Sequence, residues 1–158
     1  MNPDGRIARA VQAMAGSAAF AKVGPRIVPH VDRALTKVTG GRFVLSQAIV
    51  PSLVLHTTGA RSGRPRDVNL ACLPEDGGWY VVGSNFGRES HPAWTANLLA
   101  HPDAAVTFKG DRTDVRARLL DADEKAAVWP RLTKVWPTYD RYVERSGRDL
   151  RVFRLDPR

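Results

Sequence analysis

Cysteine is nearly absent from this chain: Cys72 is the single one among 158 residues. One cysteine excludes an internal disulfide and is typical of a protein in a reducing compartment. Cys72 lies in a strand-like run at positions 68–73. We therefore predict that it is a small buried core residue rather than a nucleophile.

Long apolar runs are missing as well. The longest apolar stretches are far shorter than a membrane span, so the sequence predicts no transmembrane helix. The N-terminus has no compact apolar segment followed by a small-residue cleavage site, and we expect a cytoplasmic protein without a secretory signal. The length, with 43% apolar and 25% charged residues, predicts one globular domain with a single core.

Several signatures of catalysis are also absent. Neither Gly16-Ser17 nor Gly83-Ser84 has the flanking glycines of a nucleophile elbow, and no Gly-x-Gly-x-x-Gly motif follows a strand. The spacing of the four histidines is not typical of a zinc or iron site, and we expect no metal: His30, His56, His91 and His101. An enzyme without these groups depends on a bound cofactor for its chemistry.

Positive charge, by contrast, is plentiful. The net charge is +8, and residues 1–50 supply +5 of it with seven Lys or Arg against two acids. This distribution indicates an anionic partner, either membrane lipid or nucleic acid, although charge also serves solubility. Helical spacing predicts amphipathic helices in residues 1–41. These helices either cover the core or, through residues 1–38, make a weak contact with anionic lipid at the inner face of the cell membrane.

From residue 42 onward the pattern changes to short strands in consecutive hairpins. Strands are predicted at 53–57, 67–73, 79–82, 104–108, 113–120 and 149–155. A helix is predicted over 91–100, and Asp121 with Glu124 forms a capping box that opens another, which Pro130 and Pro137 kink or divide. This order favours a small antiparallel barrel of the α+β class over residues 42–158, in one structural domain with the N-terminal helices.

One loop of this barrel is a candidate anion site. The apolar strand Leu53-Val54-Leu55 is followed by the run His56-Thr57-Thr58-Gly59-Ala60-Arg61-Ser62-Gly63-Arg64-Pro65-Arg66. Glycine lets backbone N–H groups approach a ligand, and hydroxyl and guanidinium groups donate to phosphate or carboxylate oxygens. The alternative is a solvated turn that is merely rich in arginine.

Four motifs occur in a specific order: Thr57-Thr58-Gly59-Ala60-Arg61-Ser62-Gly63-Arg64-Pro65-Arg66, Val82-Gly83-Ser84, Pro92-Ala93-Trp94-Thr95-Ala96-Asn97-Leu98 and Trp136-Pro137-Thr138-Tyr139-Asp140-Arg141-Tyr142. Together they resemble the deazaflavin (coenzyme F420)-dependent nitroreductase and quinone reductase family of actinobacteria. The resemblance implies a split β-barrel of the flavin-reductase-like type. It also implies an oxidoreductase that transfers a hydride from reduced F420 to a quinone, enone or nitro compound.

The resemblance further implies where the cofactor binds. Arg61, Ser62 and Arg66 match positions that hold the phosphate and acidic tail, whereas Arg64 occupies a variable position. The implied cofactor-binding set is Ala60, Arg61, Ser62, Arg66, Asp67, Val68, Asn69, Leu70, Ala71, Val82, Gly83, Ser84, Asn85, Ala93, Trp94, Thr95, Ala96 and Asn97. The chain departs from the best-known members at Asn85 and Phe86, which stand where lysine and glycine are expected.

Tyr139 and Tyr142 match tyrosines that line the substrate side and are the implied catalytic residues. A phenol there would protonate the reduced acceptor or donate a hydrogen bond to its developing anion. The alternative is that both rings, three residues apart on one helical face, only pack.

Two other functions remain open. A split barrel also suits FMN, and fold alone does not separate the two cofactors. A non-enzymatic module that binds nucleic acid or membrane through its basic surface is a further alternative. We expect no nucleic-acid binding, because the aromatic residues are not interleaved with basic ones. The expected partner is a small electron acceptor, and the chain is expected to be a monomer or a homodimer.

Overall fold

The computed structural model describes residues 50–158 together with Lys22. Apart from Lys22, the helices predicted in residues 1–41 lie outside the described residues, as does the membrane contact assigned to residues 1–38. Within the described part, no helix combines the length and the apolar character needed to cross a bilayer.

Six antiparallel strands form a closed barrel. Around the barrel the order is β1-β2-β3-β6-β5-β4, and β4 pairs back onto β1. The strands are β1 (Ser52–Thr58), β2 (Pro65–Glu75), β3 (Gly78–Val82), β4 (Asp103–Phe108), β5 (Asp111–Leu119) and β6 (Val152–Pro157). The predicted α+β class with an antiparallel barrel is confirmed.

Side chains alternate between the inside and the outside of the barrel, as the two-residue period of a strand requires. Leu53 and Leu55 of β1 are fully buried, and their register partners on β2 are Leu70 and Val68, respectively. The same alternation on the other strands completes one apolar core, which includes Cys72, Val81, Val106, Val115, Ala117, Phe153 and Leu155.

Cys72 is part of this core, with 2% of its surface exposed. Burial raises the pKa of its thiol to about 12, because the thiolate would lose its hydration. The prediction of a core residue is confirmed.

Three helices and one short turn complete the described fold: a 3-10 turn at Asn85–Gly87, α1 (Ala93–Ala100), α2 (Ala122–Val135) and α3 (Tyr139–Ser146). Helix α1 packs into the barrel core, where the Trp94 ring lies 5.7 Å from the ring of Phe153. Helix α2 contacts β2, and α3 contacts the 3-10 turn. Both helices contribute to a second apolar cluster, which we call the outer apolar cluster: Val82, Leu120, Val128, Leu132, Tyr139, Tyr142, Leu150 and Val152.

The predicted capping box is present, since Asp121 accepts from the backbone N–H of Glu124 and Glu124 accepts from that of Asp121. Pro137 separates α2 from α3, whereas α2 continues through Pro130, so that Pro130 does not divide the helix. Strand β6 begins at Val152 rather than at residue 149. Residues 149–151 instead belong to the connection that follows α3.

Candidate functional site

The loop between β1 and β2 is closed by its own hydrogen bonds. We call residues 59–66 the cationic loop. The N–H of Gly59 donates to the carbonyl of Arg64 at 2.8 Å, and the N–H of Gly63 donates back to the Gly59 carbonyl at 2.9 Å. Gly63 has φ +64°, a conformation that glycine adopts without a Cβ penalty. The backbone of the cationic loop is therefore preorganised.

The charges of this loop are not neutralised within residues 50–158. Arg61, Arg64 and Arg66 are exposed, and no described carboxylate lies within ion-pair distance of them. The described residues also offer no acceptor to the backbone N–H groups of Arg61 and Ser62. Guanidinium groups beside available backbone N–H donors are a favourable arrangement for an anion.

The segment after β3 has an unusual backbone. We call residues 84–87 the left-handed turn, because three consecutive residues in it have positive φ: Asn85 (46°), Phe86 (55°) and Gly87 (74°). The side chain of Asn85 donates to the carbonyl of Ser90 at 2.9 Å. Left-handed backbone costs a residue with a Cβ about 1–2 kcal/mol. Strain of this kind persists only where the surrounding structure holds it, and it is common at functional sites.

Helix α1 connects the cationic loop to the left-handed turn. Asn97 accepts from the N–H of Ala60 at 2.9 Å and donates to the hydroxyl of Thr57 at 3.1 Å. Two residues earlier in the helix, the methyl of Thr95 faces Gly83, where an added Cβ would lie 2.8 Å from it. One rigid element thus positions both segments.

The predicted residues of α1 divide into two groups. Trp94, Thr95 and Asn97 are buried and fix the helix and its neighbours. Ala93 and Ala96 are exposed and present a small apolar surface. Only this second group is accessible to a ligand, and Trp94 acts as a core anchor.

The predicted residues of β2 also alternate. Val68 and Leu70 point inward and pack on the barrel core, whereas Asp67 and Asn69 are exposed on the outer face and Ala71 is half-buried. The carboxylate of Asp67 is already paired with His56 Nδ1 at 2.8 Å. Of this set, Asn69 and Ala71 remain the accessible side chains.

Both predicted catalytic tyrosines are in the outer apolar cluster. Tyr139 is 5% exposed and Tyr142 is 1% exposed, with ring centroids 6.5 Å apart. Burial raises the pKa of both hydroxyls, so each is protonated at neutral pH.

The two hydroxyls differ in their partners. Trp136 donates a hydrogen bond to Tyr142, which opposes part of the rise in its pKa. Tyr139 lies near Tyr142 and Cys72, which raise the pKa of its hydroxyl further.

Analysis of the sequence missed Arg148, which follows α3. Its guanidinium donates to the carbonyls of Ser84 and Arg88, each at 2.9 Å, and contacts His91 Nδ1 at 2.8 Å. The one local signal is Gly147, a left-handed C-cap with φ +62° that turns the chain after α3.

Together these elements fit an extended anionic ligand with a flat part. The cationic loop supplies charge and N–H donors, and the segment at Gly83 and Ser84, with Ala93 and Ala96, supplies small side chains. The described residues contain no group of three or more His, Cys, Asp or Glu that would hold a metal ion.

Comparisons with known proteins identify the family of the chain. Residues 26–157 match the family model of F420H2-dependent quinone reductases. A Mycobacterium tuberculosis protein named for the same activity is 31% identical over 109 residues, which are 69% of this chain and 92% of that protein. The match supports F420 and gives the FMN alternative no support.

Solved structures agree as well. A structure described as an F420-H2-dependent reductase is 32% identical, with a TM-score of 0.62, and the match covers 67% of this chain and 94% of that one. A structure described as a domain-swapped dimer is 30% identical, with a TM-score of 0.64, covering 82% of this chain and 96% of that one. The chain therefore belongs to the F420H2-dependent quinone reductase family, and it is an F420-dependent oxidoreductase.

Proposed function

We propose that this chain transfers a hydride from reduced F420 to a quinone, and that enones and nitro compounds are further acceptors. The cofactor binds along α1, with its phosphate and acidic tail at the cationic loop and its ring beside Gly83, Ser84, Ala93 and Ala96. The observation that supports this proposal is the double attachment of α1, through Asn97 to the loop and through Thr95 to Gly83.

When bound, F420 supplies the hydride. The protein residues bind and orient it. Arg61 and Arg66 neutralise acidic groups, and the N–H groups of Arg61 and Ser62 donate to phosphate oxygens. The absence of a side chain at Gly83 lets α1 pack closely on this backbone through Thr95, which would hold residues 83 and 84 beside the ring. Because the loop and turn are preorganised, binding costs little ordering entropy.

Tyr139 is the proposed proton donor to the acceptor. Its ring is fixed between Trp129 and Tyr142, with centroid distances of 6.1 and 6.5 Å. The raised pKa keeps the Tyr139 hydroxyl protonated, as a hydrogen-bond donor must be. The hydroxyl of Tyr142 is occupied by Trp136. A catalytic role for Tyr142 stays a prediction. We propose that the Tyr142 ring supports the ring of Tyr139.

The cofactor assignment is tested by titrating the purified chain with F420, FMN and FAD while following tryptophan fluorescence. We expect saturable binding of F420, and binding of FMN that is weaker because FMN lacks the acidic tail. Reduced F420 should then be oxidised on addition of a soluble quinone. Micromolar binding of FMN without detectable binding of F420 would exclude the proposal.

Tyr139→Phe separates the chemical role of the hydroxyl from the packing of the ring. If the hydroxyl donates to the developing anion, turnover of quinone should fall by roughly ten- to a thousandfold. The affinity for F420 should hardly change, because the ring remains in place. Tyr142→Phe is the matched control with a smaller expected effect. Unchanged turnover in a folded Tyr139→Phe variant would mean that Tyr139 only packs.

We also propose that the chain assembles as a homodimer. The support is the 30% identical structure described as a domain-swapped dimer, which matches 82% of this chain. Light scattering coupled to size-exclusion chromatography measures the mass directly. A single species at 17.4 kDa over a wide concentration range would favour the monomer instead.

A further inference from the structure

Arg148 bonds to several carbonyls of the segment at residues 83–88. Its Nε donates to Arg88 O and its Nη2 to Ser84 O, each at 2.9 Å, and its Nη1 lies 3.4 Å from Gly83 O. The remaining contact is to His91 Nδ1 at 2.8 Å. The planar fork of arginine suits such a set, since it offers five donors in fixed directions.

The position of Arg148 is set by the end of α3. Gly147 adopts left-handed backbone at φ +62°, and its N–H donates to Val143 O at 3.0 Å, which ends the helix. The N–H of Arg148 then donates to the hydroxyl of Ser146 at 3.2 Å. This capped end directs the guanidinium back toward a segment about 60 residues earlier in the chain.

The carbonyls that Arg148 contacts lie on both sides of a strained backbone segment. Asn85 and Phe86 are left-handed without being glycine, and Gly87 fits only because it lacks a side chain: an added Cβ would lie 3.0 Å from Tyr142 Cδ1. Without an external support, relaxed conformations of these residues would compete with the observed one.

We propose that Arg148 is a positioning residue that fixes the left-handed turn and thereby presents Gly83 and Ser84 to the cofactor. This inference rests on the proposed function. The guanidinium of Arg148 bonds to backbone carbonyls at the turn. Four of its five N–H donors are used within the described residues. It therefore acts through the turn and does not bind the ligand itself.

The test compares Arg148→Ala and Arg148→Lys with the wild-type chain. In both variants we expect the dissociation constant and the KM for F420 to rise by roughly ten- to a hundredfold, with kcat at saturation within a few-fold of wild type. Lysine should not restore binding, because one ammonium cannot bond to carbonyls in several directions. Arg141→Gln removes an exposed arginine of α3 and should bind F420 as the wild type does.

Chemical rescue distinguishes positioning from a general loss of stability. Guanidinium at concentrations far below denaturing ones should lower the KM of Arg148→Ala several-fold, whereas ammonium at equal ionic strength should not. If Arg148→Ala does not fold, Arg148→Lys carries the test.

The outcomes separate the two proposals. A wild-type chain that does not bind F420 would overturn the proposed function together with the role of Arg148. Binding by the wild type and equal affinity in folded Arg148→Lys or Arg148→Ala would overturn the role of Arg148 alone.

Discussion

The cationic loop and the left-handed turn are positioned in opposite ways. The cationic loop closes on itself through Gly59 and Arg64, and its positive φ falls on a glycine, Gly63. In the left-handed turn, Asn85 and Phe86 adopt a conformation that is unfavourable for residues with a Cβ. The Arg148 side chain, which follows α3, bonds to this turn. A loop closed by its own backbone hydrogen bonds leaves its arginine side chains available to a ligand. A turn whose flanking carbonyls accept from Arg148 is coupled to the end of α3.

The largest expected effect is on the loop. Arg61→Ala with Arg66→Ala should weaken F420 binding by about 3–6 kcal/mol, since each charge-assisted hydrogen bond contributes about 1.5–3 kcal/mol. The free energy of unfolding should hardly change, because both side chains are exposed. Lys134→Ala with Arg141→Ala removes the same charge elsewhere and serves as the control. Isothermal titration calorimetry measures the affinities. An equal loss of F420 affinity in both double variants would show that the loop arginines act only through long-range electrostatics.

Asn97→Ala should release the loop from α1. The Ala60 N–H and the Thr57 hydroxyl lose a buried partner, so unfolding in urea should show a loss of about 2–3 kcal/mol. F420 binding should weaken as well, because the N–H donors of the loop lose their fixed position. If stability falls and affinity for F420 does not, the loop alone organises the anion site.

Gly83→Ala acts on the other region. The new methyl would lie 2.8 Å from Thr95 Cγ2 and 3.3 Å from the carbonyl of Arg151. Overpacking of this kind costs about 1–3 kcal/mol, which urea unfolding measures. The affinity for F420 should fall and that for a simple phosphate at the loop should not. A variant with wild-type affinity for F420 would show that the ring lies elsewhere.

The smallest expected effect is a pH dependence of stability that arises from His91, near the left-handed turn. Burial, together with the nearby Arg151 and Arg148, lowers the pKa of His91 below 6.5, its ordinary value. At pH below 6.5 the unfolded chain binds a proton that the folded chain does not, so stability falls as pH decreases through this window. His91→Gln keeps an acceptor for Arg148 and should flatten that dependence in urea titrations from pH 5 to 8. If the stability of the variant depends on pH as that of the wild type does, groups other than His91 cause the dependence.

Much of the fold was predictable because its determinants are local. The Asp121–Glu124 capping box and the strand alternation each depend on neighbouring residues, and both are observed. The hairpins follow from turn residues close in sequence, and the four family motifs located the segments that α1 brings together.

The remaining features depend on contacts between distant residues. Arg148 bonds to backbone carbonyls, which every residue has, so no side-chain pattern marks its partners. Phe86 has no propensity for left-handed backbone, and its conformation follows from its surroundings. Pro130 stays within α2, because the helix tolerates one missing N–H donor where capping and packing support it.

The burial of Cys72 has a consequence for an enzyme of this family. Quinones are electrophiles that add to thiolates, so an exposed thiolate near the substrate would be alkylated by the compound the enzyme reduces. The only sulfhydryl of the chain is 2% exposed, and its pKa of about 12 leaves almost none of it ionised at neutral pH. The barrel core therefore protects the chain from covalent inactivation by its own acceptors.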